Sequence, residues 1–265
     1  MQLNKIDNPR LEAEVLLAWL LGCDRVWLYA HSEEETELAD EYRKLLDRRI
    51  KGEPVAYLLG KREFMGLDLE VNPAVLIPRP ETELLVEKAL AFCANKGAIK
   101  AADVGTGSGA IALSLAFYAP EVQVWGLDIS AAALAVAERN RKKLGLEERV
   151  NLQKNDLLTD WPEDCQLDLV LANLPYIPSQ QMAGLMRDVR DFEPVLALDG
   201  GSDGLQLYRR LRPQAEKLLR PGGLLLLEIM SGQGAILTRE ANSNWTVGVD
   251  LDWAGQERIF WGIKK

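Results

Sequence analysis

Residues 99–109, IKAADVGTGSG, form a mostly apolar segment that runs directly into a glycine-rich turn. On the C-terminal side of this turn, short apolar segments alternate with helical periodicity, which predicts a mostly parallel, doubly wound α/β sheet. The connection between the last two strands (252–256) is too short for a parallel crossover, so these strands should form an antiparallel hairpin at one edge. We expect strands at 99–104, 122–128, 149–153, 167–172, 223–229, 245–250 and 257–262, and helices at 108–118, 131–144 and 204–220.

The first 60 residues have a different, all-helical pattern. Asp7 or Asn8 can cap a first helix that begins at Pro9 and ends at Gly22. A short second helix covers 25–30, and the acidic run 33–35 is predicted to open a third that ends at Gly52-Glu53-Pro54. The sequence therefore predicts a separate small helical domain before the α/β region.

Between these regions the period changes to two. Leu67, Leu69 and Val71 alternate with polar residues, which indicates a half-buried strand in a hairpin that begins near Glu63. Three prolines follow, and Pro80 suits the start of a helix. We therefore predict an N-terminal helical domain at 1–61, a β-hairpin linker at 62–78 and the α/β domain at 79–265.

Composition narrows the class of protein. The chain has 265 residues, 48% hydrophobic and 27% charged, which is typical of a core-forming globular protein. The formal charge of -9 argues against a nucleic-acid binder that neutralises many phosphates, and no apolar run is long enough to span a membrane. Three widely spaced cysteines predict neither disulfides nor a metal site, and the opening residues 1–5 do not resemble a secretion signal, so we expect a cytoplasmic protein.

The glycine loop predicts a nucleoside-containing cofactor. Glycines at 105, 107 and 109 permit a sharp turn and a close approach of a ligand to the backbone. Asp128 ends the next strand, where a carboxylate can accept hydrogen bonds from the hydroxyls of a ribose. Gly105-x-Gly107-x-x-Ala110 also satisfies the dinucleotide fingerprint of dehydrogenases. The loop alone therefore does not distinguish a dinucleotide from another nucleoside-containing cofactor.

A second motif, Asn173-Leu174-Pro175-Tyr176, follows the strand predicted at 167–172. The carboxyl ends of such strands are where ligands bind in open α/β sheets. The Asn173 side-chain oxygen and the Leu174 backbone carbonyl can accept the two hydrogens of a planar amide or amino group, and the Tyr176 ring offers a flat face for stacking. This set predicts a site for a planar nitrogen.

Together these motifs resemble the S-adenosylmethionine-dependent methyltransferases that modify planar nitrogens. Further segments resemble the HemK/PrmC family, the peptide chain release factor glutamine methyltransferases, over nearly the whole chain. They are GEPVAYLLG at 52–60, REF at 62–64, LIPRPETE at 76–83, the VR…EP residues between 189 and 194, and ALDGG at 197–201.

The resemblance implies a class I methyltransferase, with a Rossmann-like seven-stranded sheet, whose helical N-terminal domain recognises the substrate. It implies S-adenosyl-L-methionine as cofactor, S-adenosyl-L-homocysteine as product, no metal, and transfer to the N5 amide nitrogen of the Gly-Gly-Gln glutamine of class I release factors. The residues assigned to the cofactor are Gly105, Thr106, Gly107, Ser108, Gly109, Asp128, Leu157 and Asn173, and those assigned to catalysis and substrate are Asn173, Leu174, Pro175 and Tyr176. Asp156 could also bond the adenine, and Phe64 and 78–82 could close over the cofactor.

Several points stay open. The family usually has Asn-Pro-Pro-Tyr, and here Leu174 replaces the first proline; leucine can supply the same backbone acceptor but makes the turn less rigid. Arg79 could contact the cofactor or form a salt bridge at the domain junction, and Glu228 on a buried strand is more typical of a structural hydrogen-bonding residue than of a catalyst. The alternatives in function are a ribosomal-protein glutamine methyltransferase and an adenine-N6 nucleic-acid methyltransferase. The second is disfavoured because residues 1–72 carry 10 basic and 15 acidic residues and 73–265 carry 21 and 25.

Overall fold

A seven-stranded mixed sheet forms the centre of the molecule. The structure is a computed structural model that describes residues 6, 8–94, 96–162 and 164–265. The strands lie in the order β5-β4-β3-β6-β7-β9-β8, with β9 antiparallel to both neighbours and the other pairs parallel. Both the doubly wound arrangement and the antiparallel edge hairpin predicted from the sequence are confirmed. The sheet strands are β3 (Ile99–Val104), β4 (Val122–Asp128), β5 (Val150–Lys154), β6 (Leu167–Ala172), β7 (Leu219–Glu228), β8 (Trp245–Leu251) and β9 (Glu257–Lys264).

One helix of the α/β region precedes the first sheet strand, and the others connect successive strands. The longest are amphipathic or apolar enough to cover a face of the sheet, as parallel strands require. They are α5 (Glu83–Cys93), α6 (Ala110–Tyr118), α7 (Ala131–Lys143), α8 (Arg187–Phe192), α9 (Gln206–Leu218) and α10 (Gly234–Glu240). Short 3₁₀ turns cover Pro80–Thr82, Ser179–Gly184 and Val195–Ala197.

The central strands are buried on both faces. Every residue of β6 is buried, and alternate side chains enter two separate apolar clusters. Leu169 and Leu171 face the cluster that contains α5 and α6, while Val170 and Ala172 face the cluster that contains α9. This two-sided burial is why the strand has a continuous apolar sequence rather than an alternating one.

The strand order places a crevice beside β3. From β3 the chain winds outward through β4 and β5, and then crosses back to β6 on the other side of β3. The loops that leave β3 and β6 therefore diverge, and ligands bind at such a switch point, outside the carboxyl ends of the strands. Both sequence motifs follow these two strands.

An antiparallel hairpin precedes the α/β region. Strands β1 (Lys61–Phe64) and β2 (Leu67–Glu70) are joined by Met65 and Gly66, which both have positive φ. A two-residue turn with positive φ at both positions matches the twist of a hairpin. The Tyr118 hydroxyl donates to the Met65 carbonyl at 2.6 Å, and the Met65 N–H donates to Glu83 at 2.7 Å, so the turn is fastened to α6 and α5.

The three predicted N-terminal helices are present, and the structure adds a fourth after the predicted end at Gly52-Glu53-Pro54. They are α1 (Pro9–Leu21), α2 (Arg25–Ala30), α3 (Ala39–Ile50) and α4 (Val55–Leu59). The acidic run 33–35 was predicted to open α3 but precedes it, because Asp40 and Glu41 occupy the first turn instead. Asn8 makes no side-chain cap, and Asp7 and residues 1–5 lie outside the described residues. Within the described part of the chain, no helix is both long and apolar enough to cross a membrane.

Candidate functional site

The loops at the carboxyl edge of the sheet surround a cavity of about 310 Å³. Four consecutive parallel strands end there: β3 in the glycine loop, β4 in Asp128, β5 in Asn155, and β6 in Asn173. The predicted residues that line the cavity are Gly105–Ser108, Asp128, Leu157 and Asn173–Pro175. The volume is in the range of small-molecule sites, so the cavity has room for a cofactor-sized ligand.

Gly105 begins the loop at the point where the two motifs meet. Its φ is 79°, and a Cβ at this position would lie 2.9 Å from Cδ2 of Leu174. Leu174 is itself buried, so its side chain fills the space that a larger residue at 105 would need. The glycine therefore allows the loop after β3 to pack directly against the tetrapeptide after β6.

Gly109 differs from the other glycines of the loop, because it does not line the cavity, and its assignment to the cofactor stays a prediction. It caps α6 with a φ of 84°, and a Cβ there would lie 2.8 Å from Cδ1 of Leu113 and 3.3 Å from Cβ of Ala137. The third glycine thus serves the packing of α6 against α7, while the cavity wall continues with Ala110 and Ile111.

The buried Asp103 supports the glycine loop through hydrogen bonds, a role that the sequence pattern did not predict. One of its oxygens accepts from the Thr106 hydroxyl at 2.6 Å and from the Ala112 N–H at 3.1 Å. Burial raises the pKa of this carboxyl to about 7. Because the Thr106 side chain points to Asp103, only the rest of that residue is left to face the cavity.

Asp128 lies at the cavity wall with its carboxylate already oriented. Its oxygens accept from the Gly107 N–H at 2.9 Å and from the Ser130 N–H at 2.8 Å. Burial raises the pKa of this carboxyl, and these backbone hydrogen bonds lower it. Each oxygen retains a lone pair, so the carboxylate can accept further hydrogen bonds from a ligand.

The segment after β5 forms another part of the wall. Leu157 is buried and has a φ of 56°, an uncommon conformation for a non-glycine residue that turns its side chain toward the cavity. Asp156 also lines the cavity, where it forms a salt bridge with Arg210 at 2.6 Å. Its predicted bond to an adenine therefore stays a prediction, and the carboxylate already has a cationic partner.

The tetrapeptide separates two cavities. Asn173 lines both the large cavity and a second one of about 120 Å³, whose wall includes Tyr176 but not Leu174 or Pro175. The Asn173 Nδ2 donates to the Thr82 hydroxyl at 3.1 Å, and the Tyr208 hydroxyl, which donates to the Glu228 carbonyl, also lies 3.1 Å from the Leu174 carbonyl. The Asn173 Oδ1 therefore points away from Thr82, and the Leu174 carbonyl keeps one lone pair.

The segment after the hairpin contributes to the same region. Pro78 and Thr82 line the large cavity, whereas Phe64 is buried in the apolar cluster with α5 and α6 and does not reach the cavity. Arg79 forms a 2.5 Å salt bridge with Glu193, whose carboxylate also accepts from the Ile77 N–H. Arg79 was expected either to contact the cofactor or to form a salt bridge at the domain junction, and the salt bridge is present. Arg79 also lines the small cavity.

Sequence reasoning missed several residues of the wall. Ile129 follows Asp128 directly and could have been included on that ground. Pro194 and Ala197 lie in segments that resemble the family but were not assigned to the site, whereas Arg210 on α9 and Leu196 had no local signal, since they come from distant segments. Among the described residues, no group of three or more His, Cys, Asp or Glu side chains is arranged to hold a metal ion.

Comparisons with known proteins place this architecture in a family. Residues 1–60 match the PrmC N-terminal domain and residues 95–255 match a methyltransferase domain. A release factor glutamine methyltransferase of Moorella thermoacetica is 49% identical over 98% of this chain and 93% of that protein. A release factor glutamine methyltransferase of Gloeobacter violaceus is 43% identical over 96% of this chain and 90% of that protein.

Solved structures support the fold. A methyltransferase of Pyrococcus furiosus aligns with a TM-score of 0.56 over 86% of this chain and 98% of that chain, at 19% identity. At that identity the likeness concerns the fold alone, and it agrees with the class I methyltransferase sheet described above. On its sequence relatives, its two domain matches and this fold, the chain belongs to the family of S-adenosylmethionine-dependent release factor glutamine methyltransferases.

Proposed function

We propose that the protein transfers a methyl group from S-adenosyl-L-methionine to the N5 side-chain nitrogen of the glutamine in the Gly-Gly-Gln motif of class I release factors. The observation that carries the proposal is the position of Asn173 on the boundary between two cavities. The large cavity, with the glycine loop and Asp128, suits the cofactor. The small one, with Tyr176, suits the methylene part of the glutamine side chain, and the amide nitrogen would reach the boundary at Asn173, where Leu174 lines the large cavity.

The residues present fit this cofactor. The glycine loop provides a surface that a side chain at Gly105 would disturb, and Asp128 offers oriented acceptors for the ribose hydroxyls. Leu157 and Ile129 provide apolar contacts for the adenine. When bound, S-adenosyl-L-methionine supplies a methyl group already activated on a sulfonium, so the chemistry requires no metal.

The protein's own groups act on the amide nitrogen. A glutamine nitrogen is a poor nucleophile because its lone pair is delocalised into the carbonyl. Two acceptors, the Asn173 Oδ1 and the Leu174 carbonyl, hold its two hydrogens and so fix the direction of the lone pair. Such positioning can be worth roughly 7–11 kcal/mol.

The same acceptors become more favourable as reaction proceeds. The nitrogen gains positive character when it accepts the methyl group, and hydrogen bonds from it to fixed oxygens then strengthen. The Leu174 carbonyl lies 3.1 Å from the Tyr208 hydroxyl and keeps a lone pair for this purpose. We assign no side chain as a general base, and the proton leaves late, to water or a nearby acceptor.

Two neighbouring functions use similar pocket chemistry. A ribosomal-protein glutamine methyltransferase would require the same two acceptors, and only the protein substrate would differ. An adenine-N6 nucleic-acid methyltransferase would need to hold phosphates, which the net charge of -9 disfavours. The names of the relatives favour release factors over both.

The test is mass spectrometry of substrates after reaction. Purified release factor, a release factor with Gln→Asn in its Gly-Gly-Gln motif, a ribosomal protein and DNA are each incubated with the protein and the cofactor. We expect a 14-dalton addition (the mass difference of a methyl for a hydrogen) that maps to the glutamine of the unaltered factor only. A 14-dalton addition found only on the DNA, or only on the ribosomal protein, would overturn the proposal.

The proposal also assigns roles to the domains and a location. Residues 1–61 recognise the release factor, 62–78 form the hairpin linker and 79–265 carry out the transfer. With a soluble release factor as its partner, and no stable nucleic-acid or membrane partner, the protein works in the cytoplasm.

A further inference from the structure

Arg79 places a positively charged group in the wall of the small cavity. Of the described side chains that line this cavity, it alone carries a formal charge. The Arg79 side chain is 31% exposed, so its guanidinium lies where the wall of the cavity meets the surface. Arg79 does not line the large cavity, so the group that it would contact is a ligand of the small cavity rather than the cofactor.

A buried carboxylate holds Arg79 in place. The side chain of Glu193 is 1% exposed, pairs with the Arg79 Nη2 at 2.5 Å and accepts from the Ile77 N–H at 3.0 Å. Arg79 also lies between Pro78 and Pro80, and its backbone is extended (φ −97°, ψ 145°), which is the conformation that a following proline favours. Both the backbone and the side chain of Arg79 are therefore positioned before any ligand binds.

Most of the N–H groups of this guanidinium have no partner in the protein. A guanidinium has five N–H donors in a planar fork. Among the described residues, Glu193 is the only hydrogen-bond partner of Arg79, and it accepts through Nη2. No Arg79 nitrogen in the described part of the chain is both buried and unpartnered, so the remaining N–H groups are open to the cavity or to solvent. A fixed cation with open donors suits a ligand that presents carbonyl oxygens.

The chemistry of the transfer indicates which carbonyl of the substrate this is. A hydrogen bond to the carboxamide oxygen of the glutamine would draw the nitrogen lone pair further into the carbonyl and make the nitrogen a poorer nucleophile. A hydrogen bond to a main-chain carbonyl has no such effect. The main chain lies at the outer end of the glutamine side chain, and adjacent glycines, which have no side chain, allow it to approach the cavity wall closely.

We propose that Arg79 is a substrate-binding residue whose open N–H groups donate to main-chain carbonyl oxygens of the glycine-containing loop that carries the glutamine. Glu193 holds the guanidinium in the orientation that this contact needs. The inference rests on the proposed function, because it concerns the main chain around the same glutamine. The contact forms when the loop binds and persists in the transition state, so Arg79 contributes to binding of the release factor rather than to the chemical step.

The substitution Arg79→Lys tests the donors separately from the charge. Lysine keeps a positive charge beside Glu193, but it replaces the planar fork by a compact ammonium with three N–H donors. We expect KM for the release factor, and its calorimetric Kd in the presence of S-adenosyl-L-homocysteine, to rise about 10- to 100-fold, as loss of hydrogen bonds from a charged group does. Both kcat and the Kd for S-adenosyl-L-methionine should stay within about twofold, because the large cavity is unaltered. Arg139→Lys is the matched control, since Arg139 also pairs with a glutamate, Glu70, but lines neither cavity.

Three results would overturn the inference. The first is a KM for the release factor within about twofold of the unaltered protein. The second is a fall in kcat at unchanged KM, which would place Arg79 at the reacting amide instead. The third is a rise in the Kd for S-adenosyl-L-methionine equal to the rise in KM, which a purely structural role would produce. If Arg79→Lys does not fold, the double variant Arg79→Met with Glu193→Gln, which removes both charges and all the Arg79 donors, decides by the same criteria.

The proposed function is judged separately. It fails if the unaltered protein does not methylate the release factor in the same assay. The binding role of Arg79 fails if the unaltered protein is active and the variant gives any of the three results above.

Discussion

At the residue scale, the buried acids of the α/β region are not equivalent. Asp103 supports the glycine loop through Thr106 and Ala112, and its other oxygen has no partner among the described residues. Glu193 is paired with Arg79, and Glu228 lies behind the tetrapeptide. Substitution of each of these three acids by its neutral amide is therefore expected to have a different effect on stability or activity.

The substitution Asp103→Asn should change how stability depends on pH. Burial raises the pKa of Asp103 from 3.8 to about 7, so the folded protein holds this proton more tightly than the unfolded chain between those values. The contribution of Asp103 to the free energy of unfolding therefore decreases as the pH rises through that interval. The asparagine oxygen can still accept from Thr106 and Ala112 but does not ionise. Urea unfolding at several pH values should show that Asp103→Asn gains stability relative to the unaltered protein as the pH rises from about 4 to 7. Parallel pH profiles for the two proteins would contradict this.

The substitution Asn173→Ala should abolish methyl transfer with little effect on cofactor binding. It removes the side-chain acceptor but leaves the Leu174 carbonyl, the glycine loop and Asp128 in place. Loss of one such electrostatic contact costs about 10²–10³ in kcat. Single-turnover kinetics with a release factor and calorimetry with S-adenosyl-L-methionine check the two parts. Unchanged turnover would refute the role of Asn173.

At the element scale, the Arg79–Glu193 salt bridge joins the segment after the hairpin to the end of α8. The Glu193 side chain is 1% exposed and that of Arg79 is 31% exposed, so Glu193 depends on this partner. We expect Arg79→Met to lower the free energy of unfolding by about 3 kcal/mol, because it leaves a buried charge without its counter-ion.

A double variant separates the charge from the packing. Arg79→Met with Glu193→Gln removes both charges and keeps an acceptor for the Ile77 N–H. It should be less destabilised than Arg79→Met alone, with a coupling energy above about 1 kcal/mol in urea unfolding. Additive effects of the two substitutions would show that the pair does not couple these elements.

At the scale of the whole molecule, the N-terminal helices have an apolar core and an exposed apolar outer surface. Leu16, Leu45 and Leu58 form a small separate cluster, while Val26 is 75% and Tyr29 55% exposed on α2. Trp27 stacks on His31 with ring centroids 4.0 Å apart. This exposed face is available to contact the release factor, in keeping with the proposed role of residues 1–61.

The substitution Val26→Asp should therefore weaken recognition of the protein substrate without changing the chemistry. A contact of about 1 kcal/mol corresponds to roughly a fivefold rise in KM for the release factor. The value of kcat and the Kd for S-adenosyl-L-methionine should not change, since the cavity residues lie elsewhere. The exposed Leu251 on the edge strand serves as the control through Leu251→Asp. Equal KM values for Val26→Asp and the unaltered protein would exclude α2 from the interface.

The features that depend on neighbouring residues could be predicted from the amino-acid sequence. The seven sheet strands, the edge hairpin, α1 and the β1–β2 hairpin follow from periodicity, proline and glycine positions, and short connections, all of which act locally. Where local signals competed, the prediction was less accurate, as in the start of α3. The resemblance of the glycine loop and of Asn173–Tyr176 to a known family supplied the function that the spacing alone left open.

Which distant residues meet at the site became visible only in the folded chain. Thr82, Glu228 and Arg210 lie in three segments far apart in the chain, and the crossing of the chain from β5 back to β6 brings them to one edge of the sheet. The same packing leaves Gly109 and Phe64 outside the cavity wall and pairs Asp156 with Arg210. The physical reason is that periodicity records which face a residue presents, whereas the partner on that face is set by long-range packing, which leaves no local pattern.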